Sequence, residues 1–255
     1  MTRMNALDGQ VALITGSSRG IGAAIATEFA RRGAAVAVHG RDETAAAAVA
    51  ARIARGGGKV IAATGDVTDF GQVESVRRQV EEGLGPVDIL VACAGGSFTP
   101  PAPLEQIPED GWRATVDGNL FATFLTVKSF LPGMKERRRG AIITIGSTAG
   151  RRSHPQSPIP YAVAKAGIAL LTQDVAAQAG PFGIRVNCIA PETIMTEGNQ
   201  ERIPAELQAK LADWHPLKRL GTPEDVANAA AFLASADASW ITGVIVDVAG
   251  GAVMV

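Results

Sequence analysis

The chain has 255 residues, 47% of them hydrophobic and 19% charged, with a formal net charge of −1. Near-neutral charge removes the global electrostatic pull used by nucleic-acid and anionic-membrane binders, so neither partner is expected. The length suits one α/β domain over 1–255 with a sizeable core.

Taken in chain order, residues 1–10 lack the apolar segment of a secretory leader, and no later stretch has membrane-spanning length and apolarity. A cytoplasmic location is expected. The first apolar run, 11–15, leads into Thr15-Gly16-Ser17-Ser18-Arg19-Gly20-Ile21-Gly22 and a helical pattern over 21–32. Glycines there let the backbone turn tightly and approach a pyrophosphate, whose charge a helix N-terminus stabilises. The spacing, T-G-x-x-x-G-x-G, is neither G-x-G-x-x-G nor the Gly-Lys-Ser/Thr phosphate loop. Its weight comes from lying between a strand and a helix.

The second run, 34–39, ends in His39-Gly40-Arg41. An NAD-preferring site commonly places an acid at this strand end for the ribose 2′-OH. Gly40 takes that place, and Arg41 and Arg19 are candidates to bind a 2′-phosphate by charge-assisted hydrogen bonds. NADP is therefore the expected cofactor; NAD is the alternative, because Asp42 is adjacent. Two solvated surface arginines are the other reading of the pair.

A helical pattern over 43–55, a run at 59–63, a helix over 70–82 and a run at 88–93 continue the alternation. Gly33, Gly56 to Gly58 and Gly83 to Gly85 end the helices. Cys93 and Cys188 lie inside apolar runs and read as buried unpaired thiols of a reducing compartment. A long helical stretch over 108–131 contains Asn119, a residue mildly unfavourable mid-helix and so a candidate for a specific hydrogen bond. Arg137-Arg138-Arg139 precede the run at 141–145, which ends in Gly146-Ser147. A hydroxyl at the carboxyl end of a central strand sits where open α/β sheets bind ligands.

Tyr161 is the only tyrosine, and it opens an Ala-rich helical stretch over 161–179. Lys165, four residues on, shares its helix face. A free phenol, with a pKa near ~10, is a poor acid–base group at neutral pH, whereas a neighbouring cation favours the phenolate. A run at 185–189 is followed by more than 30 residues before the helix near Pro223. That excursion contains an amphipathic helix over 201–214 and is read as a lid or binding loop at about 197–220, with a passive surface loop as the alternative. The last run is 244–248. Near-continuous apolar strands alternating with helices predict a doubly wound, Rossmann-like α/β fold with a mostly parallel sheet of about seven strands.

Together these residues resemble the short-chain dehydrogenase/reductase family, from the glycine loop to Ile241-Thr242-Gly243, with a pattern most like its 3-oxoacyl-carrier-protein reductases. The resemblance implies a catalytic tetrad of Asn119, Ser147, Tyr161 and Lys165. Tyr161 would exchange a proton with the substrate oxygen, Ser147 would hold that oxygen, and Lys165 would bind the nicotinamide ribose. Asn119 would keep a water in a relay to Lys165. Asp66 and Val67 resemble the adenine contact, and Cys93, Ala94 and Gly95 the second glycine element. Pro191, Ile194 and Thr196 resemble the loop holding the nicotinamide carboxamide. The implied activity is NADP-dependent hydride transfer between a carbonyl and a secondary alcohol in a homotetramer, its helices over 108–131 and 161–179 at one interface.

Three departures stand out: Ala92-Cys93 replaces Asn-Asn, Glu192 replaces the glycine after Pro191, and Val248-Ala249-Gly250-Gly251 lacks an aspartate. A 3-oxoacyl thioester is one candidate substrate; a sugar, polyol or cyclic ketone is the alternative. A dinucleotide-binding sensor without catalysis is a third reading. Arg151, Arg152 and Arg137 to Arg139 suit an acidic acyl-carrier protein or simple solvation. His154 and His215 either line the pocket or are structural, and their spacing suggests no metal site.

Overall fold

The structure, a computed structural model, describes residues 6–153 and 157–254. Seven strands form one sheet in the order β3-β2-β1-β4-β5-β6-β7. They are β1 (Val11–Ile14), β2 (Ala35–Gly40), β3 (Val60–Thr64), β4 (Ile89–Ala92), β5 (Gly140–Ile145), β6 (Ile184–Pro191) and β7 (Ile245–Val248). Every pairing is parallel.

Parallel strands need crossover connections, and the helices that supply them bury both sheet faces. Helices α1 (Gly20–Arg31) and α2 (Glu43–Arg55) cover one face. Side chains Ala12 and Ile14 of β1 pack there with Ile25 and Phe29 of α1. Val11 and Leu13 point the other way, onto Val73, Val76 and Val80 of α3 (Phe70–Leu84). That alternation is the period of two expected of a strand.

Two helical stretches differ from their sequence pattern in bounds or continuity. The stretch expected over 108–131 is α4 (Glu109–Val116), a π-helical turn at Asp117–Phe121, and α5 (Ala122–Arg137). In the π turn the N–H of Ala122 reaches back to the Asp117 carbonyl, and the extra residue turns Asn119 inward. Helix α5 also continues past Pro132, a helix-breaking residue, because Phe130 and Met134 on either side of it are buried. Helix α6 (Ile159–Ala179) follows β5.

The excursion after β6 holds two helices rather than one, α7 (Glu197–Arg202) and α8 (Ala205–Trp214). Pro204 divides them and precedes the first residue of α8. Helix α9 (Pro223–Ala234), opened by a capping box of Thr222 and Asp225, returns to the first face and packs along α1. No helix among the described residues is long and apolar enough to cross a membrane.

Phe29 is wholly buried between α1 and the sheet. Phe29→Ala is expected to lower the unfolding free energy by about 3–5 kcal/mol, measured by urea denaturation.

Candidate functional site

A cleft of about 1000 Å³ opens at the carboxyl ends of β1, β4, β5 and β6. Its nucleotide end is the loop from Gly16 to Gly22. Gly16 has φ +67°, and a Cβ there would lie 2.7 Å from the Ala94 Cα. A Cβ on Gly22 would lie 2.4 Å from the Gly16 carbonyl oxygen. Side chains are thus excluded at both positions, and bare backbone faces the cleft. No side chain caps α1, whereas Asp42 and Asp69 cap α2 and α3. An uncapped N-terminus on a side-chain-free loop fits a dinucleotide pyrophosphate.

Three buried side chains hold this loop, and two of them carry no signal in the motif spacing. Thr15 Oγ1 accepts from the N–H of Cys93 and of Ala94, at 3.1 and 3.2 Å, and so ties β1 to the end of β4. Ser17 donates to the Ile14 carbonyl at 2.7 Å and accepts from the His39 N–H at 2.8 Å. Its side chain therefore braces the loop from behind; only its backbone is left for a cofactor. His39 accepts the Gly16 N–H at Nδ1, 3.2 Å away, and donates from Nε2 to the Gly65 carbonyl at 3.1 Å. Both contacts require the neutral Nε2–H tautomer. Burial holds the His39 pKa down at about 4, against a Gly65 hydrogen bond and Asp66 charge that act the other way.

At the end of β2, a Cβ on Gly40 would come within 3.0 Å of Ser18, so an acidic side chain has little room there. Ser18, Arg19, Gly20 and Ile21 line the cleft, as does Arg52 of α2, which sequence reasoning missed. Arg41 is exposed and faces Asp66 at 3.7 Å rather than the cleft wall. Asp66 also accepts from the Thr68 N–H and hydroxyl, and its pKa is lowered because these bonds and Arg41 together outweigh desolvation. Val67 is buried beside it.

At the other end, Ser147, Tyr161 and Lys165 line the same cleft. Ser147 follows β5, and its Oγ lies 3.5 Å from the Pro191 carbonyl. Tyr161 and Lys165 sit one turn apart on α6, with Nζ 5.5 Å from the phenol ring centre. The Lys165 ammonium is buried and donates to the Ile145 carbonyl at 2.8 Å. Asn119 lies behind the cleft wall. Its Nδ2 donates to the Gly96 and Thr115 carbonyls, both at 2.8 Å, and its Oδ1 accepts from the Gly96 N–H at 3.1 Å. All its amide hydrogens are used, so the side chain holds the loop after Ala94 and Gly95 and offers no donor to a water. Cys93 is part-buried at the wall, and burial pushes its thiol up to about 11.

The loop after β6 brings Pro191, Ile194 and Thr196 together on this wall. Ile194 is buried and bridges to Gly221, while Thr196 caps α7 and approaches Gly20. Glu192 Oε2 accepts the Thr193 N–H and lies 2.9 Å from His215 Nε2, and His215 Nδ1 lies 2.7 Å from the Leu211 carbonyl. This ion-pair geometry joins the end of α8 to the loop after β6. His154 lies outside the described residues. Arg151 pairs with Asp247 at 3.1 Å, while Arg152 lines the cleft and donates to the Ala252 carbonyl. Arg137, Arg138 and Arg139 contact the Val87 carbonyl, the Pro181 carbonyl and Asp88, respectively.

A family model described as Enoyl-(Acyl carrier protein) reductase matches residues 16–253. The chain is 40% identical over 253 residues to galactitol 2-dehydrogenase of Rhizobium johnstonii, covering 96% of this chain and 95% of that protein. It is 38% identical over 247 residues to 7alpha-hydroxysteroid dehydrogenase of Escherichia coli K12, covering 97% and 95% of the two chains. The solved 3-oxoacyl-[acyl-carrier protein] reductase of Brucella melitensis superposes with a TM-score of 0.94 at 35% identity, over 99% of this chain and 95% of that one.

The buried His39 links the glycine loop to pH. Unfolded, it titrates near 6.5; folded, near 4. The unfolded chain therefore binds the extra proton first, and the contribution is full above 6.5 and lost as pH falls toward 4. Between pH 7 and 4.5 the wild type is expected to lose about 2–3 kcal/mol more stability than His39→Asn, measured by urea unfolding.

Proposed function

The chain belongs to the short-chain dehydrogenase/reductase family of oxidoreductases, and from that premise we propose that it transfers hydride between NADP(H) and a carbonyl or secondary alcohol, with Ser147, Tyr161 and Lys165 at the reacting centre. The observation that carries this reading is one cleft joining the uncapped glycine loop to a Ser–Tyr–Lys set on β5 and α6. When bound, the nicotinamide ring supplies or accepts the hydride.

The chain's own groups do the rest. In reduction Ser147 and Tyr161 donate hydrogen bonds to the carbonyl oxygen and the phenol gives up its proton; in oxidation the Tyr161 phenolate accepts the alcohol proton. Lys165, fixed through the Ile145 carbonyl, keeps two further N–H donors for a ribose hydroxyl and the phenol side of the cleft. Asn119 acts by positioning the Gly95–Gly96 backbone at the wall.

NADP is the preferred cofactor in this reading, supported by the lack of an acid at Gly40 and by Arg19 on the cleft wall. A homotetramer is supported by Phe121, Phe124, Val163 and Leu170, apolar and exposed around α5 and α6. Two unpaired cysteines suit a cytoplasmic setting. A 3-oxoacyl thioester is one substrate the reading covers, supported by similarity to 3-oxoacyl-[acyl-carrier protein] reductase. The internal contacts of Arg137, Arg138 and Arg139 leave less of that cluster for an acidic carrier. The second substrate reading, a polyhydric alcohol, is favoured by the Glu192–His215 pair.

Tyr161→Phe is expected to slow turnover by about 10²–10⁴ with little change in NADPH binding, measured by steady-state rates and cofactor fluorescence. Unchanged turnover would remove Tyr161 from the reaction. Wild-type kcat/KM is expected to favour NADPH over NADH, and Arg19→Ala to cut that ratio by about 10-fold or more. Equal use of both cofactors by the wild type would refute the NADP preference.

A further inference from the structure

We propose that Glu192 forms a hydroxyl-binding subsite next to the reacting centre, making the preferred substrate a vicinal diol, polyol or hydroxy-ketone. The proposal rests on the hydride-transfer reading above. Glu192 directly follows Pro191, whose carbonyl is the partner of Ser147, and it lines the same cleft as Ser147 and Tyr161. Its carboxyl group is held in place. Oε2 takes the Thr193 N–H and the contact with His215 Nε2, and His215 is itself buried and tied to Leu211. Gly250 packs against the imidazole; a Cβ there would lie 3.2 Å from the ring.

Oε1 has no hydrogen-bond partner among the described residues. Whichever partner of the His215 contact carries the proton, Oε1 is an acceptor, either as a carboxylate oxygen or as the carbonyl oxygen of the acid. Among the described residues Arg151 pairs with Asp247, Arg152 donates to the Ala252 carbonyl and Arg202 donates to Asn199, and none has a hydrogen bond to Glu192. An apolar substrate seated against Oε1 displaces its water and returns no donor, which is costly for a fixed polar group. A substrate hydroxyl beside the reacting carbon supplies that donor. Ser147 and Tyr161 hold the reacting oxygen, while Glu192 accepts from the neighbouring hydroxyl.

The test compares matched pairs, cyclohexane-1,2-diol against cyclohexanol and butane-2,3-diol against butan-2-ol, as substrates for NADP⁺ or NAD⁺ reduction. The wild type is expected to favour the diol by about 10- to 100-fold in kcat/KM. In Glu192→Ala the ratio falls to within about threefold of unity, and in Glu192→Gln it takes an intermediate value. The ratio is independent of the active fraction, and NADPH binding by fluorescence verifies that each variant is folded. Equal wild-type use of both members, or a diol preference that persists in folded Glu192→Ala, overturns the subsite alone. Faster reduction of an acetoacetyl thioester than of acetoin also overturns it. No turnover of any of these substrates overturns the subsite together with the hydride-transfer reading.

Discussion

Parallel pairing of β1 with both β2 and β4 decides where everything else in the cleft can go. All three strands end at the same edge, so the chain leaving β1 must pass between the β2 and β4 ends, with Thr15 and Ser17 hydrogen-bonded to the backbone on either side. At Gly16 the clearance to Ala94 is too small for a Cβ. The glycine loop is therefore a consequence of sheet topology as much as of ligand chemistry. The same packing leaves the α1 N-terminus open toward the cleft. Once that backbone is fixed, β5 and β6 deliver Ser147 and the Pro191 loop to the same edge, and α6 lays Tyr161 and Lys165 across it.

The strands, the glycine loop and the Tyr161–Lys165 spacing were legible because each follows from a short-range rule. Apolar runs of four to six residues can form buried strands, and a four-residue spacing shares a helix face. Features that depend on distant parts of the chain were not legible. Nothing near Asn119 signals a π turn, since the inward rotation depends on the Gly96 backbone 23 residues away. Pro132 reads as a stop, yet burial of Phe130 and Met134 carries the helix through it. His39 carries no motif, and its role emerges only when β2 sets it between Gly16 and Gly65. Glu192 was visible as a departure, but its partner His215 lies 23 residues on, beyond α7 and α8 and beyond any local pattern.

The missing asparagines after β4 show how the fold absorbs a change of motif. The groups needing partners there are backbone N–H and C=O groups, which do not depend on the identity of Ala92 or Cys93. Thr15 from β1 takes the Cys93 and Ala94 N–H groups, and Asn119 from the π turn takes both polar groups of Gly96. Buried backbone polar groups must be paired, but any side chain of suitable reach can do it.

The Glu192–His215 contact extends the same logic from structure to selectivity. A carboxylate in a cleft is costly unless it is paired, and here the partner is the residue that ends helix α8. Helix α8 is thus attached to the loop after β6 through a polar contact in the cleft. In the proposed subsite, any substrate that meets Oε1 also meets the group that orients His215. There, an occupant without a donor would leave the fixed oxygen unpaired. Under that proposal oxygen-rich substrates supply the missing donor and hydrocarbon ones do not.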